Sequence, residues 1–311
     1  MAKVEKAFRE TLESDGDNAL RTFAMMLPSE AALSEEMTVI DPTGLRQSRG
    51  ELKKSLAAKF EEELTEVYEK LTSEMAQEEV STIEASAREG GRASFGGANT
   101  IIIIVQFKVD AESVGRRMLR NVCLDYLCAK KDGVAAALAS KHYFSANCMT
   151  DKMAAMGVLS GVDGEGSDTR DAVMDNFYIE AAGDALVVNK WFSVQATAGK
   201  KDVLADVKRL AEHTDFTLNN PNRVRSLVGA FTGNLAAFHG ADGEGYKFVG
   251  KVVRELDTLN PQVAARMVGC LINFKRYDES RGAMMKAELE EISKVEGLSG
   301  DVFEVVNRAL A

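Results

Sequence analysis

Proline is scarce: 4 in 311 residues, where about 5% usage would give roughly 16. Proline lacks a backbone N–H and clashes with the preceding helical turn. Its scarcity beside abundant Ala, Leu, Glu and Lys points to a mostly helical chain. Cysteine is also rare, with 4 residues and no CxxC pair, so a disulfide framework is excluded and a soluble protein in a reduced, intracellular setting is expected. The 3 histidines, His142, His213 and His239, include no pair four apart, which rules out an HExxH zinc helix. Long apolar runs are missing too. The most hydrophobic stretch, Ile101 to Val105, is far short of the roughly 20 residues that span a bilayer. No membrane association or signal segment is expected, since Met1 to Glu10 mixes Lys, Glu and Arg with apolar residues. Positive charge is in deficit, with 38 Lys and Arg against 48 Asp and Glu, so a nucleic-acid partner is not expected either.

What is present is helical patterning. Leu52, Leu56, Phe60, Leu64, Val67 and Leu71 recur at steps of three or four, the apolar stripe of one long helix. Asp41-Pro42, Asn220-Pro221 and Asn260-Pro261 each set a capping side chain before a proline suited to the first helical position. Thr150-Asp151 and Ser299-Gly300-Asp301 read as further caps. Stops fall at Gly161 to Gly166, Gly199, Gly240 to Gly245 and Gly297. The carboxylates in the two Gly-rich segments argue against phosphate loops, and their spacing does not match an EF-hand, so both read as interhelical turns.

Asn220-Pro221 and Asn260-Pro261 lie 40 residues apart. That shift aligns Val224 with Ala264, Leu227 with Met267, Val228 with Val268, Gly229 with Gly269 and Phe231 with Leu271. Tyr246, Val249, Val253 and Leu256 outline a helix between the copies. A period near 40 predicts an all-α superhelical solenoid of stacked antiparallel helix pairs, HEAT- or armadillo-like, forming a single domain over 1–311 with 1–26 as a lead-in helix or linker. Residues 90–109 break the pattern with a Gly-rich run before β-branched alternation, a strand-like or disordered insertion.

Candidate polar chemistry lies in the repeats. Gln262 and Arg266 form an i,i+4 pair beside the apolar stripe Val263, Met267, Cys270, Leu271 and Phe274. Arg223 and Arg225 occupy the first turn after Pro221. If the helices share one side of the superhelix, Arg225, Gln262 and Arg266 line a groove suited to carboxylates and peptide carbonyls. Ordinary surface ion pairs are the competing reading on spacing alone. The four cysteines read as structural thiols.

Asn220 to Phe231 (NPNRVRSLVGAF) resembles a signature stretch of the C-terminal domain of bacterial-type aminopeptidase N, a zinc metallopeptidase. So do Asn260 to Arg266 (NPQVAAR), Phe274 to Asp278, Leu27 to Glu30, Ile40 to Pro42, Leu119 to Asn121, Ala146 to Asp151, Lys190 to Phe192 and Leu298 to Asp301, in the family's order. The resemblance covers roughly 27–311, with 90–109 as an insertion. It implies a helical domain that caps a zinc-bearing catalytic domain lying upstream in the complete enzyme, so that this chain is a fragment without zinc, catalytic residues or hydrolysis of its own. It also implies that Gln262 and Arg266, and less directly Arg225, reach the cavity that takes short peptides. The expected partners are the enzyme's own catalytic domain and short peptide substrates, in the cytoplasm. An autonomous helical-repeat scaffold binding a protein partner is the alternative.

Overall fold

The computed structural model describes residues 2–88 and 108–311, with side chains from 78 to 88 set aside. In chain order the helices are α1 (Ala2–Leu12), α2 (Asn18–Met25), α3 (Glu30–Glu35), α4 (Pro42–Lys59), α5 (Glu61–Arg88), α6 (Ala111–Leu127), α7 (Gly133–Ser145), α8 (Met149–Leu159) and α9 (Ser167–Ala181). There follow α10 (Ala185–Ala196), α11 (Val203–Ala211), α12 (Pro221–Val224), α13 (Ala230–Thr232), α14 (Leu235–Phe238), α15 (Glu244–Asp257), α16 (Pro261–Val268), α17 (Glu279–Ser293) and α18 (Gly300–Leu310). The described residues hold no strand, only a parallel bridge between Ile40 and Tyr277. The all-α expectation therefore holds for them. The strand-like expectation for 90–109 falls almost entirely outside the described residues.

Two compact units divide the chain: residues 1–27, 52–130 and 141–155, and residues 28–51, 131–140 and 156–311. In the first, Phe8 from α1 meets the rings of Phe60 and Tyr126 at 5.3 and 4.9 Å. The Tyr126 hydroxyl donates to the Met25 carbonyl at 2.6 Å. Of the predicted stripe, Leu56, Phe60, Leu64 and Leu71 are buried while Leu52 and Val67 are only half-buried, with Tyr68 taking the inward place beside Val67. The stripe also runs over two helices, since α4 gives way to α5 at Phe60. Helical hydrogen bonds still cross the joint, from Phe60 N to Leu56 O and from Leu64 N to Phe60 O, which keeps the stripe in register.

The second unit carries the repeat. Asn220 caps α12 by accepting from the backbone N–H groups of Asn222 and Arg223, and Asn260 caps α16 through Val263. The aligned positions Val224 and Ala264, Leu227 and Met267, Val228 and Val268, and Phe231 and Leu271 are all buried. Tyr246, Val249, Val253 and Leu256 form the buried face of α15. Gly245 sets the entry of that helix, because a Cβ there would lie 2.4 Å from the Phe238 carbonyl oxygen.

Three local readings change. The helix after Pro261 stops at Val268; Gly269, Cys270 and Leu271 donate to carbonyls three residues back, so Cys270, Leu271 and Phe274 lie beyond it. One copy earlier the backbone deviates the other way, and Arg225–Gly229 forms a π-helical turn. Thr150-Asp151 does not start a helix, because α8 already begins at Met149. Asp151 is instead fully buried, where it pairs with Arg120 and accepts from Asn121 Nδ2 at 2.8 Å.

Candidate functional site: the α12 and α16 helix starts

The helix starts after Pro221 and Pro261 separate their polar residues by burial. Arg223 points inward. Its Nε donates to the Asp215 carbonyl at 2.9 Å, and its Nη1 donates to the Ala185 carbonyl at 3.0 Å and Asn189 Oδ1 at 2.6 Å. The guanidinium also lies over the Phe192 ring, 5.6 Å from its centroid. An Arg that ties three segments and stacks on an aromatic face acts as a structural clamp.

Arg225 projects outward from the π-helical turn and donates to Asn222 Oδ1 at 3.2 Å. The turn is held from behind. Ser193 Oγ on α10 donates to the Ser226 carbonyl at 2.9 Å, and the Ala230 N–H reaches the Arg225 carbonyl. An outside hydroxyl thus compensates the loosened helical bonding, and π turns of this kind recur at functional sites. Sequence reasoning missed the turn, since RSLVG has ordinary helical spacing and the stabilising serine lies 33 residues away.

Gln262 and Arg266 are exposed one helical turn apart on α16, beside the buried Val263 and Met267. Their side chains make no hydrogen bond or ion pair among the described residues. The two copies approach each other at Gly229, where a Cβ would lie 3.9 Å from Met267 Cε. That is ordinary van der Waals distance, so Met267 packs against the backbone of the turn that carries Arg225. Such exposed cations and amides can bind carboxylates and carbonyls, but none is placed to exchange protons with a partner.

Other polar groups in these repeats are engaged. A cleft of about 420 Å³ beside Trp191 is lined by Arg170, Asp171, Lys200 and Asp206 among others. Its charges neutralise each other, Arg170 with Asp171 at 2.8 Å and Lys200 with Asp206 at 2.5 Å.

A zinc ion does not fit the described residues. Among the described residues no three His, Cys, Asp or Glu side chains come together that could hold a metal. The histidines sit in separate hydrogen bonds through Nδ1, His142 with the Tyr68 hydroxyl, His213 with the Asp215 N–H, and His239 with the Tyr246 hydroxyl. Burial pushes the Cys123 thiol up to about 12, far from the thiolate a metal needs.

Comparison with known proteins agrees with the repeat. The family described as "Domain of unknown function (DUF3458_C) ARM repeats" matches residues 1–311. Aminopeptidase N of Escherichia coli (strain K12) is 36% identical over 310 residues, covering 99% of this chain and 32% of that protein. Aminopeptidase N of Haemophilus influenzae (strain Rd) is 35% identical over 295 residues, covering 94% of this chain and 30% of its own length. A crystal structure of Legionella pneumophila aminopeptidase A in complex with aspartic acid superposes with a TM-score of 0.81 at 26% identity, covering 98% of this chain and 33% of that one. The chain therefore spans about one third of the length of the curated relatives it matches.

Proposed function

The chain belongs to the DUF3458_C family of ARM repeats, and from that premise we propose that it is the non-catalytic C-terminal domain of a bacterial-type aminopeptidase N. In this reading the complete enzyme is a zinc-dependent hydrolase that removes N-terminal residues from short peptides in the cytoplasm. The metal and its water would sit in the upstream part of the polypeptide, where zinc lowers the pKa of bound water and polarises the scissile carbonyl. This domain packs on that part and supplies wall for the substrate cavity. Arg225, Gln262 and Arg266 bind the backbone and carboxylate groups of the peptide beyond the cleaved bond.

The single observation that carries the assignment is identity of 36% over nearly the whole chain to an aminopeptidase N. The free, exposed side chains of Gln262 and Arg266 support their assignment to the wall. An arginine with an intramolecular partner would have to give up that bond to take a ligand; Arg266 does not.

The test is Arg266→Ala in the complete enzyme. We expect kcat/KM for tri- and tetrapeptides to fall by about tenfold, the scale of one charge-assisted hydrogen bond. Hydrolysis of an alanine chromogenic amide, which has no carboxylate beyond the cleaved bond, changes little. Equal losses on both substrates would make Arg266 structural.

A further inference from the structure

Helix α2 is apolar on two faces. Its inner face buries Thr22 and Met25 and is held to the end of α1 by Arg21, whose Nε and Nη2 donate to the Thr11 and Leu12 carbonyls at 3.1 and 2.7 Å. On α6, Gly115 lets the helix come close, since a Cβ there would meet Asn18 Cβ at 3.2 Å. The outer face carries Leu20, Phe23 and the C-capping Met26, which are 70%, 63% and 54% exposed. Steps of three residues put them in one ridge. A helix that packs on one side only ordinarily turns polar groups to water on the other. Three large apolar side chains in one exposed ridge form the kind of contiguous patch that interaction surfaces use.

The Leu20 end of the ridge is bordered by acidic residues. Glu13, Asp15 and Asp17 are exposed in and beside the α1–α2 turn, and α2 carries no basic residue in its last turn. A complementary surface is therefore apolar at its centre and carries Lys or Arg where it meets the Leu20 end. About two thirds of the length of the curated relatives lies outside this chain, and in the reading above that part is covalently joined to it.

We propose that the Leu20–Phe23–Met26 ridge is a docking surface for the upstream catalytic part of the same polypeptide. Covalent linkage gives that part a high effective concentration at the ridge, so a small apolar contact suffices to seat it. The inference rests on the function proposed above and goes beyond it by naming the surface.

The experiment compares maleimide labelling of Phe23→Cys in the 311-residue chain and in the complete polypeptide, read residue by residue by mass spectrometry. Ile179→Cys serves as control, because Ile179 is 72% exposed and lies outside the ridge. We expect Phe23→Cys to label at least about tenfold more slowly in the complete polypeptide, as a covered thiol does, with Ile179→Cys unchanged. Equal rates for Phe23→Cys in both would overturn the docking surface. Labelling of the 311-residue chain that slows as its concentration rises would also overturn it, by showing a second copy as the occupant. Zinc content and peptide hydrolysis, measured on the same complete polypeptide, test the functional reading independently of the labelling.

Discussion

His142 and His239 are both buried among cationic groups. His142, on α7, bonds the Tyr68 hydroxyl near the Arg120–Asp151 pair; burial first, and then Arg120, lowers it to about 4. His239 stacks on Tyr277 at 4.1 Å and bonds the Tyr246 hydroxyl, near Arg281 and Asp278. Burial and the Arg281 charge lower it to about 4 as well. Both pKa values lie below the ordinary 6.5, so between pH 6.5 and 4 the unfolded chain binds more protons. Stability is complete above that window and falls as pH drops through it. Urea denaturation at pH 7.5 and 4.5 should show a loss of about 2–3 kcal/mol for each histidine. A His142→Gln/His239→Gln variant should show a flatter profile. A parent profile independent of pH in this range would contradict the burial of these rings.

At the scale of elements, caps and apolar periodicity were legible because they are local. Asn220-Pro221, Asn260-Pro261 and Ser299 announce their helices through side chain and backbone within three residues. The π-helical turn was hidden, because its stabilising hydroxyl comes from Ser193 on another helix. The break at Phe60 was hidden too, since the stripe crosses it without losing register. Asp151 misled for the same reason: a helix-start residue by type, it is committed to a distant Arg120. Packing between elements likewise sets which glycines can be replaced. Gly50, inside α4, has nothing within 4 Å of an added Cβ, whereas one on Gly245 would collide with the Phe238 carbonyl. Gly50→Ala should stabilise by about 0.5–1 kcal/mol through helix propensity. Gly245→Ala should destabilise by about 1–3 kcal/mol through forced backbone movement. Thermal denaturation of the two variants side by side checks both signs.

Across the whole chain, early and late segments of the second unit are sewn together by arginines. Arg276 Nη2 donates to the Ser34 and Met37 carbonyls at 2.9 and 3.0 Å, and the Arg276 carbonyl accepts from Ile40 N at 2.7 Å. Arg46 reaches Glu30 and Asn234, and Asn234 in turn donates to the Ala196 and Ala198 carbonyls. Contacts over some 240 residues of sequence leave no periodic signature, so the repeat could be read and its closure could not. Arg276→Leu should cost about 1–2 kcal/mol by denaturant titration, given that this side chain is partly open to water; no change would make these bonds incidental. The family motifs, by contrast, were readable because several lie in a fixed order along the chain. The roles proposed for Arg225, Gln262 and Arg266 involve groups that lie outside the residues described.

The central claim is that this chain forms wall and contact surface for an aminopeptidase while leaving bond cleavage to the remainder of the polypeptide. It is tested most directly by assaying alanine-amide hydrolysis, with zinc supplied, by the pure 311-residue chain and by the complete polypeptide. The account predicts turnover and bound zinc in the complete polypeptide and neither in the 311-residue chain. Chelator-sensitive turnover by the 311-residue chain alone would contradict it.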